Sequence, residues 1–380
     1  MEIKAAVLGA MGAVPPYASS KPLAIETLRL DPPGPGEVLI RMKAAGLCHS
    51  DLSVINGDRP RPVPMALGHE AAGVVEEVGP LEGGLGGPEL KPGDHVVLVF
   101  VPSCGHCQPC AEGRPALCEP GAVANTAGTL LSGACRLHRG DGTAVNHHLG
   151  VSAFADYATV SRRSVVKVDS DLPFEEAALF GCAVLTGVGA VVNTAGVKAG
   201  SAVAVVGLGG VGLAALLGAV AAGARELVAV DLSEDRLVFA GEIGATMTVN
   251  ASDAEAADRI RTATGGGVDY AFEMAGSTTA LDLAYRITRR GGVTVTAGLP
   301  PPTATMPLAP VTLVGEERTL KGSYIGTAVP ARDIPSYIAL YRRGRLPVDR
   351  LKSGTLRLEE INEGFDRLHE GKAIRQVVVL

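Results

Sequence analysis

Tryptophan is absent from this 380-residue sequence, and phenylalanine, tyrosine and tryptophan together make up only 4% of it. A binding pocket is therefore expected to be roomy and walled mainly by small apolar side chains. Charge is also sparse. Forty acidic against 34 basic side chains leave a formal charge of −6, with the two signs interspersed. Without a basic surplus to neutralise a phosphate backbone, nucleic acid is excluded as an expected partner. No charged n-region followed by an apolar stretch opens the sequence, because Met1 to Leu8 reads as a short strand and Pro15 and Pro16 follow it, so a cytosolic location is expected. One long apolar run challenges that location: Ala202 to Ala224, 23 residues without a charge. Its six glycines, the Arg225-Glu226 pair and the acidic stop at Asp231 fit a strand, a turn and a buried helix rather than a membrane span. Cysteine is scarce and odd in number, at seven, and four of the seven lie in one short stretch, which suits a metal better than a disulfide framework.

At this length two domains are expected, each able to bury its own core. Up to about residue 180 the chain is rich in short β-like runs, such as Glu37 to Ala44, Ala71 to Val78 and His95 to Val101, punctuated by Gly and Pro. Two insertion-like loops interrupt them, a glycine-rich one from Pro80 to Gly93 and a weakly periodic one from Glu119 to about Ala153. From about residue 184 apolar strands alternate with helices: Ala202 to Val206, Glu226 to Asp231, Glu234 to Ile243, Tyr270 to Glu273 and Val293 to Ala297. That alternation implies a parallel, doubly wound α/β sheet. Mixed patterning returns after about residue 324, with a helix near Ile334 to Arg343 and a last strand, Arg375 to Leu380.

Cys104, Cys107, Cys110 and Cys118 form C-x2-C-x2-C-x7-C in a compact loop. Four thiolates at this spacing can close a tetrahedron around Zn²⁺ and leave no open position, the mark of a structural site. An iron–sulfur cluster shares part of the pattern, although the x7 gap and the lack of a following Cys-Pro argue against it. A second set is dispersed: Cys48 in Gly-Leu-Cys-His-Ser-Asp, His69 with Glu70 in Gly-His-Glu, and Cys182 in Phe-Gly-Cys-Ala. Two thiolates and an imidazole with a fourth position open suit a catalytic zinc acting as a Lewis acid on a bound alcohol. Singly, each of these residues has the plainer reading of a buried thiol or a satisfied histidine.

The segment Gly207-Leu-Gly209-Gly210-Val211-Gly212 stands between a strand and a helix, where its glycines allow a tight turn and close approach of backbone to a pyrophosphate. Asp231 ends the next strand, 19 residues beyond Gly212, in place to bond ribose hydroxyls and to repel a 2′-phosphate, which favours NAD over NADP. Arg236 keeps a phosphate in play. The turn alone is also compatible with FAD, with S-adenosylmethionine, or with no ligand. Cys135 is read as a packing thiol, and the adjacent His147 and His148 are expected to face opposite ways, which disfavours shared chelation.

With both cysteine sets, Gly-His-Glu and the glycine turn in this order, the chain resembles the zinc-containing medium-chain alcohol dehydrogenases over nearly its whole length. It is most similar to the branch with a long loop after the structural zinc lobe, which includes the liver-type enzymes and the thiol-dependent formaldehyde dehydrogenases. The resemblance implies a β-rich, GroES-like catalytic domain from residues 1–183 and 324–380, with its zinc lobe at about 100–120, and a Rossmann NAD-binding domain at 184–323. It also implies that Cys48, His69 and Cys182 hold a catalytic zinc, with Glu70 behind it as an occasional alternative ligand and Ser50 as the hydroxyl next to the reacting oxygen. By the same resemblance His49 and Arg375 face the cofactor pyrophosphate, Thr186, Val211 and Ala297 contact nicotinamide, and Phe100, Leu149 and Leu299 line the substrate pocket. One departure concerns the proton. Where many relatives carry a histidine, this chain has Ser53, so the proton is expected to leave through Ser50 and the nicotinamide ribose without an imidazole.

The expected activity is reversible, NAD-linked oxidation of a primary or secondary alcohol, with two zinc ions per chain. The alternatives are oxidation of a formaldehyde adduct of a carrier thiol, gripped by Arg59 and Arg61, and a binding protein that has kept the fold without turnover. A homodimer joined through the region Leu299 to Lys321 is expected, with no membrane partner.

Overall fold

The computed structural model describes residues 1–81 and 89–380, so the centre of the glycine-rich insertion Pro80 to Gly93 lies outside the described residues. The chain divides into two compact units. The first comprises Met1–Cys182, Val329–Ile338 and Val348–Leu380, and the second Ala183–Ala328 with Ala339–Pro347. The short return of Ala339–Pro347 to the second unit was not foreseen from sequence. Leu346, fully buried, and a hydrogen bond from Arg345 Nη2 to the Ala221 carbonyl (3.4 Å) hold it there.

In the first unit, short strands of alternating or wholly buried residues build a closed barrel and a larger sheet. The barrel order is Glu2–Leu8, Leu23–Leu30, Leu137–His138, Ala144–His147 and Met65–Ala66. The larger sheet runs Val165–Val168, His95–Leu98, Glu70–Val78, Glu37–Gly46, Arg375–Val379 and Lys352–Leu356, with Tyr157–Ser161 also paired to Glu37–Gly46. The last strand of the chain thus lies against Glu37–Gly46, in the register Val377 to Gly46. Leu47 N–H donates to the Gln376 carbonyl (2.9 Å), which anchors the backbone just before Cys48. Phe154, Phe365, Leu23, Ile40, Met42 and Leu47 are buried in one continuous core, whose removal from water is the main force on this unit.

The long segment from Glu119 to Ala153, read from sequence as a loop, contains a helix, Glu119–Ala127, and a hairpin of Leu137–His138 with Ala144–His147. The helix has only a weak apolar stripe. Its ends explain it better: Cys118 Sγ accepts from Gly121 N–H, and Gly128 ends it in a left-handed conformation (φ 71°).

The second unit holds a six-stranded, wholly parallel sheet. Its order is Met247–Asn250, Glu226–Asp231, Ala202–Val206, Val268–Glu273, Thr288–Thr296 and Thr319–Gly322. Numbered along the chain this is 3-2-1-4-5-6, the dinucleotide-binding order, with its reversal at Ala202–Val206. That central strand is buried throughout, as a strand covered on both faces must be. The apolar run Ala202 to Ala224 is split into this strand and the helix Gly210–Ala221. A different segment, the helical stretch Phe174–Ala195, is long and apolar enough to cross a bilayer, but 83% of its apolar window is buried within the protein.

Candidate metal and coenzyme sites

Three local devices bring Cys48, His69 and Cys182 together. Cys48 stands two residues after Gly46 and takes an extended conformation (φ −130°, ψ 152°) as the cap of the short helix His49–Ile55. His69 stands after Gly68, whose φ is +93° and whose β-carbon, if present, would lie 2.5 Å from the Phe154 nitrogen, so no other residue fits there. Cys182 lies in a π-helical stretch, Phe180–Val184, an irregularity frequent at functional sites. This stretch passes so close to the strand His95–Leu98 that a β-carbon on Gly181 would stand 2.0 Å from the Leu98 carbonyl oxygen.

The two sulfurs and a ring nitrogen of His69 all lie within 4.8 Å of one another, and all three residues are buried. His69 Nε2 is buried and makes no aligned hydrogen bond. A buried imidazole nitrogen left without a partner costs about 1–3 kcal/mol, and a soft divalent cation facing two sulfurs removes that cost. The donor set therefore fits zinc. Cys48 is held well below the ordinary thiol range, first by the Cys182 thiol bonding to it and then, against burial, by the charges of Arg375 and His69, while Cys182 is pushed well up.

Behind His69 lies a group that sequence reasoning left unassigned. Asp51 is fully buried on the helix His49–Ile55; its Oδ1 accepts from Gly68 N–H (3.0 Å) and lies 3.2 Å from His69 Nδ1 and 3.0 Å from His148 Nδ1. Burial alone would raise its pKa, but the His69 charge and the two imidazole hydrogen bonds overcome this and bring it to about 2. Burial would likewise depress His69, and the Asp51 carboxylate outweighs it, raising His69 to about 10. A carboxylate on Nδ1 fixes the ring and makes Nε2 a better donor to metal. The cue for Asp51 was present in Gly-Leu-Cys-His-Ser-Asp. For His148 it was not, because its ring reaches Asp51 only through Leu149 and Ser152, both left-handed (φ 53° and 54°), with Ser152 Oγ accepting from His148 N–H (3.0 Å). Replacing Asp51 by Asn keeps its shape and removes its charge. Zinc affinity at this site is expected to fall about 10–100-fold, read as faster release of one metal ion to a chelator.

The other residues expected here fall as follows. Ser50 is half-buried, its Oγ 3.8 Å from Cys48 Sγ. Ser53 Oγ donates to the His49 carbonyl (2.8 Å) and is thereby occupied, and His49 is exposed. Phe100 stacks edge-on against His69, ring centroids 4.9 Å apart, and Leu149 is buried next to His148. Glu70 is fully buried beside Arg375, whose Nε stands 3.8 Å from Glu70 Oε1 and whose Nη1 donates to the Leu47 carbonyl (2.8 Å). Arg375 is thus enclosed among the metal-site residues, and burial, which would lower it, is outweighed by Glu70 and the two cysteines.

Cys104, Cys107, Cys110 and Cys118 bring their sulfurs within 4.8 Å of one another. Backbone N–H groups point at the sulfurs, Cys104 N–H at Cys118 Sγ (3.1 Å) and Cys107 N–H at Cys104 Sγ (3.2 Å), as thiolates bound to a cation require. Cys135 lies apart from both sets, its Sγ 3.0 Å from the Val145 carbonyl and its pKa raised by burial.

His147 and His148 do face different surroundings. His147 is buried, its Nε2 accepts from Arg136 N–H (3.0 Å), and burial, then the Arg136 and His138 charges, bring it down from 6.5 to about 3. The unfolded chain binds a proton here near pH 6.5 and the folded chain does not. Stability from this group is therefore full above pH 6.5 and is lost as pH falls toward 3, by at most about 1.4 kcal/mol per pH unit. Urea midpoints at pH 7, 6 and 5 are expected to fall less steeply in His147→Gln than in the wild type.

In the second unit the glycine turn is built as the coenzyme reading expects. Gly207 (φ +93°) would place a β-carbon 2.7 Å from Ala275, and Gly212 one 1.8 Å from the Gly207 carbonyl oxygen, whereas a β-carbon on Gly209 would meet nothing within 4 Å. Gly209 caps the twelve-residue helix Gly210–Ala221, whose first N–H groups have no intrahelical partner. The turn is closed where it packs and open where a pyrophosphate would approach, so it fits a dinucleotide. Asp231 Oδ2 accepts from Leu208 N–H (2.6 Å), Oδ1 accepts from Ser233 N–H (2.9 Å), and Arg236 Nη1 stands 3.9 Å away. Ala297 N–H bonds to the carbonyl of Glu273, while Val211 packs its carbonyl against Gly187. Thr186 is half-buried and Leu299 is exposed.

Residues 34–170 match the alcohol dehydrogenase GroES-like domain family, and residues 210–343 the zinc-binding dehydrogenase family. The chain is 41% identical to an NDMA-dependent alcohol dehydrogenase of Amycolatopsis methanolica, over 100% of this chain and 99% of that protein. Among solved structures it is similar to an alcohol dehydrogenase zinc-binding domain protein from Burkholderia ambifaria, at 36% identity and a TM-score of 0.92, covering 100% of this chain and 99% of that one. It is also similar to a benzyl alcohol dehydrogenase from Acinetobacter calcoaceticus, at 32% identity, the same TM-score of 0.92 and the same coverage of 100% and 99%.

Proposed function

The chain belongs to the zinc-containing medium-chain alcohol dehydrogenase family, and on that premise we propose that it oxidises primary or secondary alcohols reversibly to aldehydes or ketones, with NAD as hydride acceptor. The observation that carries this is the buried Cys48, His69 and Cys182 set with its unpartnered imidazole nitrogen. These three would hold a zinc ion, which when bound supplies Lewis acidity to a substrate oxygen. Cys104, Cys107, Cys110 and Cys118 would hold a second one that keeps their loop in shape.

The protein's own groups then have separate tasks. Asp51 fixes the His69 ring, with His148 Nδ1 3.0 Å from the same carboxylate. Phe100, edge-on to His69, and Leu149 keep water from the reacting oxygen. Ser50 Oγ is the hydroxyl placed to take the alcohol proton and pass it to solvent, because Ser53 is tied to its own helix. The hydride acceptor is NAD by the open turn at Gly209 and the carboxylate of Asp231, beside which a 2′-phosphate would be repelled. The direct test is NADH formation across straight-chain, secondary and benzylic alcohols. NDMA is added as acceptor in a parallel series, because the Amycolatopsis relative is named for its dependence on it. Oxidation with NDMA alone, without bound or added NAD, would overturn the NAD assignment.

One observation favours the carrier-thiol reading. The Arg61 charge is the last of those that depress the His148 imidazole, after burial and the His69 charge and against the Asp51 carboxylate. An anionic adduct would find a cation there. Formaldehyde oxidation only in the presence of glutathione or another low-molecular-weight thiol decides for it.

We extend the proposal to a cytosolic homodimer formed through the second unit. Thr319–Gly322 is an edge strand, and the helix Pro310–Glu316 leaves Val311 73% and Val314 80% exposed. Sedimentation of the wild type and of Val314→Glu is expected to show a dimer and a weakened dimer respectively.

A further inference from the structure

Away from the Cys48, His69 and Cys182 set and from the glycine turn, the first unit contains a cavity of about 150 Å³ where the four-cysteine lobe meets the larger sheet. Cys104, His106 and Pro120 line it from the lobe, and Gly36, Glu37, Ser132, Ser161, Arg162 and Arg163 from the other side. Arg162 is the anomaly. It is only 5% exposed, its Nε is buried without a hydrogen-bond partner, and no carboxylate among the described residues pairs with it. Burying a guanidinium without an answering charge is among the costlier arrangements a fold can hold.

The carboxylate that lines the cavity cannot serve. Glu37 also lines the cavity, but its oxygens already accept from Arg136 Nε (2.9 Å), Ser132 Oγ (2.7 Å) and Gly34 N–H (2.9 Å), so its charge is neutralised where it stands. Other donors converge on the same space. Ser161 Oγ accepts from Arg163 N–H (3.2 Å), which leaves its own hydroxyl proton free to donate. The Arg163 guanidinium fills the space over Gly105, where a β-carbon would lie 2.3 Å from Nη1.

We infer that this cavity is a binding site for a small tetrahedral oxyanion, held by the Arg162 guanidinium with the Ser161 hydroxyl as second donor, and that the bound anion ties the four-cysteine lobe to the sheet. Arginine suits this ligand because its planar fork meets two oxygens at once. The site carries no chemistry. It supplies the counter-charge that Arg162 lacks among the described residues, and its effect is on stability.

Inorganic phosphate is the probe, used on the full-length, zinc-loaded protein at fixed pH and ionic strength against chloride. Phosphate is expected to raise the wild-type melting temperature by about 3 °C at saturation and to broaden the ³¹P resonance of free phosphate. In Arg162→Met the melting temperature in chloride is expected to be no lower than in the wild type, with both phosphate effects lost. Acetate in a further arm separates a tetrahedral oxyanion from a carboxylate, and an acetate response equal to that of phosphate overturns the assigned class. An unresponsive wild type, or a response that survives Arg162→Met and so belongs elsewhere, the coenzyme turn included, overturns the site itself.

Discussion

Replacing Cys182 by Ser is expected to leave a folded protein with one zinc per chain and to lower kcat by at least about 10³-fold. Cys182 belongs to the first candidate metal site with Cys48 and His69, and its sulfur lies within 4.8 Å of the other two donors. A serine oxygen is a harder and less acidic ligand than a thiolate, so a soft cation held by a single sulfur and an imidazole is retained poorly. Lewis-acid polarisation at such a site is worth several kcal/mol, and about 4 kcal/mol corresponds to 10³ in rate. The fold should survive, because Ser is smaller than Cys and the Phe180–Val184 stretch is fixed by its close pass over the Leu98 carbonyl, not by the sulfur. Metal analysis and steady-state kinetics on the same preparation check both halves. Two zinc ions per chain in the variant, with unchanged kcat, would remove this site from catalysis.

The second large effect separates two glycines of one turn. Gly212→Ala places a methyl 1.8 Å from the Gly207 carbonyl oxygen, which forces the strand-to-helix turn apart and is expected to cost about 3 kcal/mol of stability. Gly209→Ala should leave stability nearly untouched. Its backbone (φ −68°, ψ −175°) is open to any residue and its added methyl meets no protein atom. That methyl would instead stand where a pyrophosphate must approach, so NAD affinity is expected to fall by about 10–100-fold, roughly 1.4–2.7 kcal/mol. Thermal melting and NADH fluorescence titration of both variants read the contrast. A Gly209→Ala protein that binds NADH as tightly as the wild type would move the coenzyme off this turn.

How far this was visible beforehand depended on whether the signal was local. Ala202–Val206 and Glu226–Asp231 carry their structure in five or six consecutive residues, and both strands lie where the apolar pattern puts them. The four-cysteine lobe is equally local, since its spacing alone brings the sulfurs together. The helix Glu119–Ala127 escaped notice because its apolar stripe is weak and what stabilises it is a sulfur cap and a terminal glycine. Asp51 and His148 show the harder limit. Their meeting on one carboxylate depends on a 97-residue loop closure and on two left-handed residues, neither of which leaves a periodic trace. Arg162 is the extreme case, because nothing local in an Arg-Arg pair marks either side chain for burial and only the folded core shows that Arg162 is buried.

The most direct test of a dehydrogenase with one working and one structural zinc is to follow zinc content and alcohol-dependent NADH formation together during slow chelation. Zinc is expected to start at two ions per chain, with activity falling in proportion to the first ion lost and reaching zero while the second is still bound. Full activity in protein that retains only one zinc, or a single zinc from the outset, would contradict it.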